Sequence, residues 1–194
     1  MVVIGLTGNI ACGKSAVASM LADLGADVID ADALVHALQR PGTRIHADVV
    51  QRFGPSVLHG DGTLDRARLG MLVFAQAGQL AWLEALIHPA VIAETERLLA
   101  SASAPVLVVE AVKLVEAGMR RLCDSLWLVV CRPEVQLRRL VARGTDETDA
   151  RARIAAQPSV GPKRDLANVV IDNSGTVEET RTQVIAGWME LNLR

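Results

Sequence analysis

The stretch Gly8-Asn9-Ile10-Ala11-Cys12-Gly13-Lys14-Ser15 decides the reading of this chain. It satisfies the spacing G-x-x-x-x-G-K-[ST], in which a loop wraps its backbone N–H groups around phosphate oxygens. Glycines let the backbone approach an anion closely. The helix that follows offers its positive N-terminus to the same charge. The Lys14 ammonium neutralises terminal phosphates, and the Ser15 hydroxyl ligates the Mg²⁺ that bridges them. Gly8, Asn9, Ile10, Ala11, Cys12, Gly13, Lys14, Ser15 and Ala16 are therefore the expected nucleotide-binding residues, with Ser15 as metal ligand. The context agrees, because the apolar run at residues 2–7 reads as a strand and a helical pattern follows the loop. The alternative is a glycine-rich turn at a helix start with no ligand.

Working outward, apolar runs recur at residues 27–30, 106–109, 126–131 and 168–171. They are continuous rather than alternating, which suits parallel strands covered on both faces. Helical periodicity separates them. In the last helix Thr176 and Glu179 form a capping box, and Val177, Val184, Ile185, Trp188 and Leu191 share a face. The fold class is α/β, a parallel five-stranded sheet with flanking helices.

Two stretches interrupt this rhythm. Residues 41–103, opened by Pro41-Gly42, carry helical patterns and a tight turn at His59-Gly60-Asp61-Gly62. His88-Pro89 reads as the end of one helix and the start of the next, with Pro89 at a first helical position. Residues 144–163 carry a short helix capped by Asp146, with Asp149 at its third position.

Further chemistry gathers at three places. Asp30-Ala31-Asp32 closes a strand at the edge where open parallel sheets bind ligands. A carboxylate there positions magnesium-bound water or accepts a proton from an attacking hydroxyl; helix capping is the alternative. Residues 138–164 hold seven cations against three acids, and Arg139 and Arg143, four apart, share a helix face. Such a segment closes over transferring phosphates, or is only a solvated face. The chain has only three lysines, Lys14, Lys113 and Lys163. Lys113 stands just past a strand end and is expected to reach a phosphate of the acceptor, with a surface lysine as the alternative. His88 is carried as a substrate-binding candidate against a purely structural histidine.

Composition bounds the rest. The chain has 194 residues, with 20 Lys+Arg against 22 Asp+Glu for a net charge of -2. Hydrophobic residues make up 51% and charged residues 22%, which argues against disorder and against a supercharged nucleic-acid binder. No run approaches the roughly 18 apolar residues of a membrane span. Cys12, Cys123 and Cys131 have no C-x-x-C spacing, so neither a disulfide framework nor a zinc site is expected. The opening Met-Val-Val-Ile-Gly-Leu reads as a strand rather than a leader. The expectation is a cytoplasmic protein with no nucleic-acid and no membrane partner; its oligomeric state is left open.

The chain resembles the dephospho-CoA kinases over nearly its whole length. The resemblance runs from Ile4-Gly5-Leu6-Thr7-Gly8 through Val28-Ile29-Asp30-Ala31-Asp32 and Pro41-Gly42. It continues with His88-Pro89-Ala90-Val91, Arg139-Leu140, Arg143 and Ala155-Ala156-Gln157, and closes on Val170-Ile171-Asp172-Asn173-Ser174-Gly175. It implies a P-loop kinase in three parts: a nucleotide core (1–40, 104–143 and 164–194), a helical CoA-substrate domain (41–103) and a lid (144–163). It implies ATP, Mg²⁺ and dephospho-CoA as reactants. It makes Asp32 the catalytic base, and Lys14, Arg139 and Arg143 are the cations expected at the transferring phosphate. The chain departs from the family where Asn9 and Ala11 stand at positions often glycine and Cys12 at one often serine. The largest mismatch is Val112-Lys113-Leu114-Val115-Glu116 in place of Pro-Leu-Leu-Phe-Glu. Another small-molecule kinase, or a nucleotide-binding switch, are the competing readings. The absence of any Asn-Lys pair weighs against a guanine-reading switch.

Overall fold

A computed structural model describes residues 1–192. Five parallel strands form one sheet: β1 (Val2–Thr7), β2 (Asp27–Asp30), β3 (Val106–Glu110), β4 (Ser125–Val130) and β5 (Val169–Asp172), in the order β2-β3-β1-β4-β5. The expected runs were thus placed to within a residue at each end. The three central strands are apolar on both faces because helices cover both. Ile4, Leu6, Val108, Trp127, Val129 and Ile171 are buried with Val17, Leu21 and Val184 from the flanking helices α1 (Lys14–Asp23) and α9 (Val177–Asn192).

The chain divides into two compact units, Met1–Asp30 with the chain from Ser101 onward, and Ala31–Ala100. The first holds the whole sheet. Its crossovers leave the central strand β1 on opposite sides, so the topological switch lies at the carboxyl end of β1. After β4 come α6 (Pro133–Ala142), α7 (Glu147–Ala155) and the short α8 (Gly161–Leu166). Asp146 caps α7 by accepting from the Thr148 and Asp149 N–H groups, as its spacing implied.

The capping box of α9 is formed. Thr176 N–H donates to Glu179 at 2.8 Å, and Glu179 N–H donates back to the Thr176 hydroxyl at 3.1 Å. Val184 and Trp188 then face the core, but Val177 is 61% exposed. At the first helical position Val177 precedes the turn that meets the sheet, so periodicity alone misassigned it.

The second unit contains α2 (Ala31–Leu38), α3 (Arg44–Phe53), α4 (Arg66–Phe74) and α5 (Ala77–Ser101). A hairpin precedes α4, with Leu58 bridged to Leu64 and Gly62 N–H donating to His59 C=O. One expectation fails here. His88-Pro89 does not separate two helices, because α5 runs unbroken through Pro89. Proline removes one backbone donor and crowds the preceding turn. The buried stripe Leu83, Ile87, Val91 and Thr95, four residues apart on either side of Pro89, keeps the helix continuous against that cost.

Candidate active site

The loop from Gly8 to Gly13 joins β1 to α1, and two of its glycines are required by close neighbours. A Cβ on Gly8 would lie 2.3 Å from the Val129 carbonyl oxygen, and one on Gly13 would lie 2.0 Å from the Asn173 amide nitrogen. Ala11 adopts the left-handed conformation at φ 56°, which costs a non-glycine residue about 1–2 kcal/mol. Its methyl is buried with Leu140 and Ala150, which offsets part of that cost.

Side chains hold the loop's carbonyls outward. Gln136 donates to Ile10 C=O at 2.6 Å. Arg139 donates to Ala11 C=O at 3.4 Å and to Cys12 C=O at 3.0 Å, while its other terminal nitrogen donates to Asn173 C=O at 2.9 Å. Asn173 donates to Cys12 C=O at 2.9 Å, its amide oriented by the Thr180 hydroxyl. With the carbonyls tied back, the N–H groups of Ala11, Gly13 and Ser15 have no acceptor among the described residues. Gly13 caps α1 without any side-chain hydrogen bond, so the helix N-terminus is open to an anion. The Ala16 N–H already donates to Gly13 C=O at 3.1 Å.

Lys14 is 8% exposed, and no carboxylate pairs with its ammonium among the described residues. A buried, unpaired cation is costly until an anion joins it. Beside it, burial pushes the Cys12 thiol up to about 11, with the Lys14 charge opposing the rise. Cys12 is therefore a neutral packing group at physiological pH, not a nucleophile.

The sheet edge supplies carboxylates. Glu110, the last residue of β3, is 8% exposed and lies in register with Leu6 on β1 and Asp30 on β2. The Ser15 hydroxyl donates to Glu110 at 3.0 Å. Sequence reasoning missed Glu110, although an acid closing an all-apolar strand was a usable signal. A hydroxyl and a carboxylate side by side are hard oxygen donors of the kind Mg²⁺ takes, completing its shell with water and phosphate. That mode needs no cluster of three metal-binding side chains, and none occurs among the described residues.

The segment after α7 reaches the loop. Ile10 N–H donates to the Gln157 side chain at 2.6 Å and Asn9 donates to Pro158 C=O at 3.4 Å. The Gln157 amide nitrogen is buried and has no hydrogen-bond partner among the described residues. Lys163 is the buried lysine of this region. Its ammonium donates to Val112 C=O at 2.8 Å and pairs with Glu116 at 3.1 Å, while the Thr7 hydroxyl donates to the same carbonyl. Lys113, singled out by the sequence, is exposed. Arg143 is the exposed C-cap of α6, so Arg139 alone of that pair is engaged with the loop. In the second unit Asp32 stands in the first turn of α2 and His88 lies half-buried in mid-α5.

Comparison with known proteins follows the same line. A family model described as dephospho-CoA kinase matches residues 2–179. A dephospho-CoA kinase from Symbiobacterium thermophilum is 47% identical over 192 residues, covering 97% of this chain and 80% of the relative. One from Geobacter metallireducens is 44% identical over 194 residues, covering 98% and 96%. The crystal structure of TT1252 from Thermus thermophilus superposes with a TM-score of 0.83 at 34% identity, covering 98% of this chain and 97% of that one. With a matching model over most of its length and relatives this similar, the chain belongs to the dephospho-CoA kinase family.

Proposed function

We propose that this chain transfers the γ-phosphoryl group of ATP to the ribose 3′-hydroxyl of dephospho-CoA, releasing CoA and ADP in the cytoplasm. The observation that carries the reading is the phosphate loop itself. Four hydrogen bonds tie back its carbonyls and leave the Ala11, Gly13 and Ser15 N–H groups without an acceptor among the described residues, beside a buried ammonium with no carboxylate partner among them. Such a cradle suits a polyphosphate.

In this reading the Gly8–Ala16 backbone binds the nucleotide phosphates and Lys14 neutralises the terminal ones. Ser15 and Glu110 would hold Mg²⁺, which would supply positive charge to offset that of the polyphosphate. Asp32 accepts the proton of the attacking 3′-hydroxyl as the new P–O bond forms and the bond to the ADP oxygen breaks. Arg143 stabilises charge on the transferring group, while Arg139 supports the nucleotide through the loop it tethers. Residues 41–103 receive dephospho-CoA, with His88 and Lys113 as contributors, and residues 144–163 close as a lid. No helix among the described residues is long and apolar enough to cross a membrane, which suits soluble reactants.

A coupled assay with ATP, Mg²⁺ and dephospho-CoA, run beside AMP, gluconate and no acceptor, tests the reading. Transfer to dephospho-CoA alone is the expected result. Transfer to AMP or gluconate moves the chain to another acceptor class, and hydrolysis without any acceptor moves it to a nucleotide switch.

A further inference from the structure

The segment that follows α7 is fastened to the phosphate loop through one side chain. Gln157 stands just past the end of α7, its own N–H returning to Ile154 C=O at 3.3 Å. Its side-chain amide accepts the Ile10 N–H at 2.6 Å. Two neighbouring contacts fix the pair: Gln136 donates to Ile10 C=O at 2.6 Å, and Asn9 donates to Pro158 C=O at 3.4 Å. Both polar groups of the Ile10 backbone are therefore held by glutamine side chains.

The tether decides which way the amide points. A backbone N–H can only donate, so the atom facing Ile10 is the amide oxygen and the nitrogen is turned away from it. That nitrogen is buried and has no hydrogen-bond partner among the described residues. One other buried side-chain atom among them shares this state, the Trp127 indole nitrogen, and it belongs to the core beneath the sheet. A buried donor without an acceptor costs about 1–3 kcal/mol. Holding the Ile10 N–H needs only an oxygen, so the tether leaves the donor end of Gln157 unexplained.

The surroundings point to an anion as the missing acceptor. Ala11, next to Ile10, is left-handed at φ 56°, and such a residue in a turn gathers successive N–H groups into an anion-binding concavity. The Gln157 amide stands at the rim of that concavity, where the Ala11 N–H has no acceptor among the described residues. Lys14 closes the same loop with a buried ammonium. Asn9, Gln136 and Gln157 also line a cavity of about 310 Å³ between the loop and the end of β4, which leaves room beside the amide. The terminal torsion of a glutamine is soft, so the amide can swing its N–H to an arriving oxygen and keep its own oxygen on Ile10.

We propose that Gln157 is a catalytic residue: its amide nitrogen donates a hydrogen bond to an oxygen of the transferring phosphoryl group while its amide oxygen stays on the Ile10 N–H. The assignment rests on the phosphoryl transfer proposed above and adds to it a donor from the 144–163 segment. Negative charge is spread over the equatorial oxygens of the group in flight, and a donor fixed beforehand stabilises that charge with little reorganisation. The amide keeps its protons throughout; only the strength of the hydrogen bond changes.

The test measures how tightly the full chain binds ADP with Mg²⁺, with and without aluminium fluoride, which completes a mimic of the transferring phosphoryl group. No acceptor is added. Gln157→Glu keeps an oxygen for the Ile10 N–H and removes the donor. Gln157→Met removes both without adding charge. Each variant is expected to weaken the aluminium fluoride complex about 10²-fold more than ADP alone. Any other pattern overturns the proposal. Parent-like affinity for the complex in Gln157→Glu makes the residue a tether only. A selective loss confined to Gln157→Glu is charge repulsion, and an equal loss for both ligands in Gln157→Met is a damaged loop. Because the mimic needs no acceptor, the coupled assay fails independently: selective loss here with no phosphate reaching dephospho-CoA keeps Gln157 at the phosphoryl group and removes only the choice of acceptor.

Discussion

The Ser15 hydroxyl lies 3.0 Å from the Glu110 carboxylate, joining the first turn of α1 to the end of β3. That bond sets two oxygens beside the phosphate loop before any nucleotide arrives. Glu110→Gln keeps the shape and an acceptor oxygen but removes the charge. We expect apparent Mg²⁺ affinity to fall about 10–100-fold with little change in Tm. Activity titrated against Mg²⁺ at saturating ATP measures this; an unchanged midpoint would remove Glu110 from the metal site.

Lys14→Met should abolish useful turnover by about 10²–10³-fold or more while leaving Tm unchanged or slightly raised. The sign on stability follows from burial, because the variant replaces an unpaired buried ammonium with an apolar chain of similar length. Thermal melts without nucleotide, beside single-turnover rates, separate the two effects. A large fall in Tm would mean that Lys14 is structural.

Asp32→Asn keeps side-chain volume and removes the proton acceptor. A rate loss of about 10²–10⁴ with ATP affinity retained is expected of a general base. Full activity would leave Asp32 as a first-turn acid of α2 that serves the helix dipole.

Arg139 and Arg143 should separate cleanly. Arg139→Ala strips donors from the Cys12 and Asn173 carbonyls, so it should lower stability by about 1–3 kcal/mol and weaken ATP binding. Arg143 is exposed at the end of α6, so Arg143→Ala should spare Tm and cut kcat. Denaturant unfolding and initial rates on both variants would show reversed roles at once.

The Cys12 thiol gives a pH signature. Burial raises its ionisation from 9.0 to about 11 in the folded chain, so the neutral thiol is favoured on folding. Its contribution to stability is complete below pH 9.0 and is lost as pH climbs through about 11. Cys12→Ser, which does not ionise there, should flatten the alkaline limb of a Tm-against-pH curve. An identical limb in both proteins would place the alkaline loss elsewhere.

Much of this was legible in the chain because local rules carried it. Continuous apolar runs marked all five strands, and the Asp146 cap and Thr176–Glu179 box marked two helix starts. Local rules failed where tertiary packing decided. Pro89 was read as a boundary, but the stripe from Leu83 to Thr95 holds one helix through it. Of the loop's tethers, Arg139 alone was legible as a site residue. Gln136, Gln157 and Asn173 meet the loop across more than a hundred residues of chain, and nothing in their own neighbourhoods signals that contact. Lysine scarcity drew attention to Lys113, whereas the buried anchor is Lys163, whose partners Val112 and Glu116 lie about fifty residues upstream.

The strand order also dictates when the protein can fold during synthesis. β3 sits between β1 and β2, yet the ribosome delivers it only after the whole Ala31–Ala100 unit has emerged. The first thirty residues therefore carry β1 and the edge strand β2 with no partner between them until the chain reaches Val106. Spanning that interval adds little to the equilibrium cost, since each doubling of a loop costs only about 0.6 kcal/mol. It does cost time, because such long-range pairing is slow and leaves strand edges exposed. Slow elongation through residues 31–105 would lengthen that exposure.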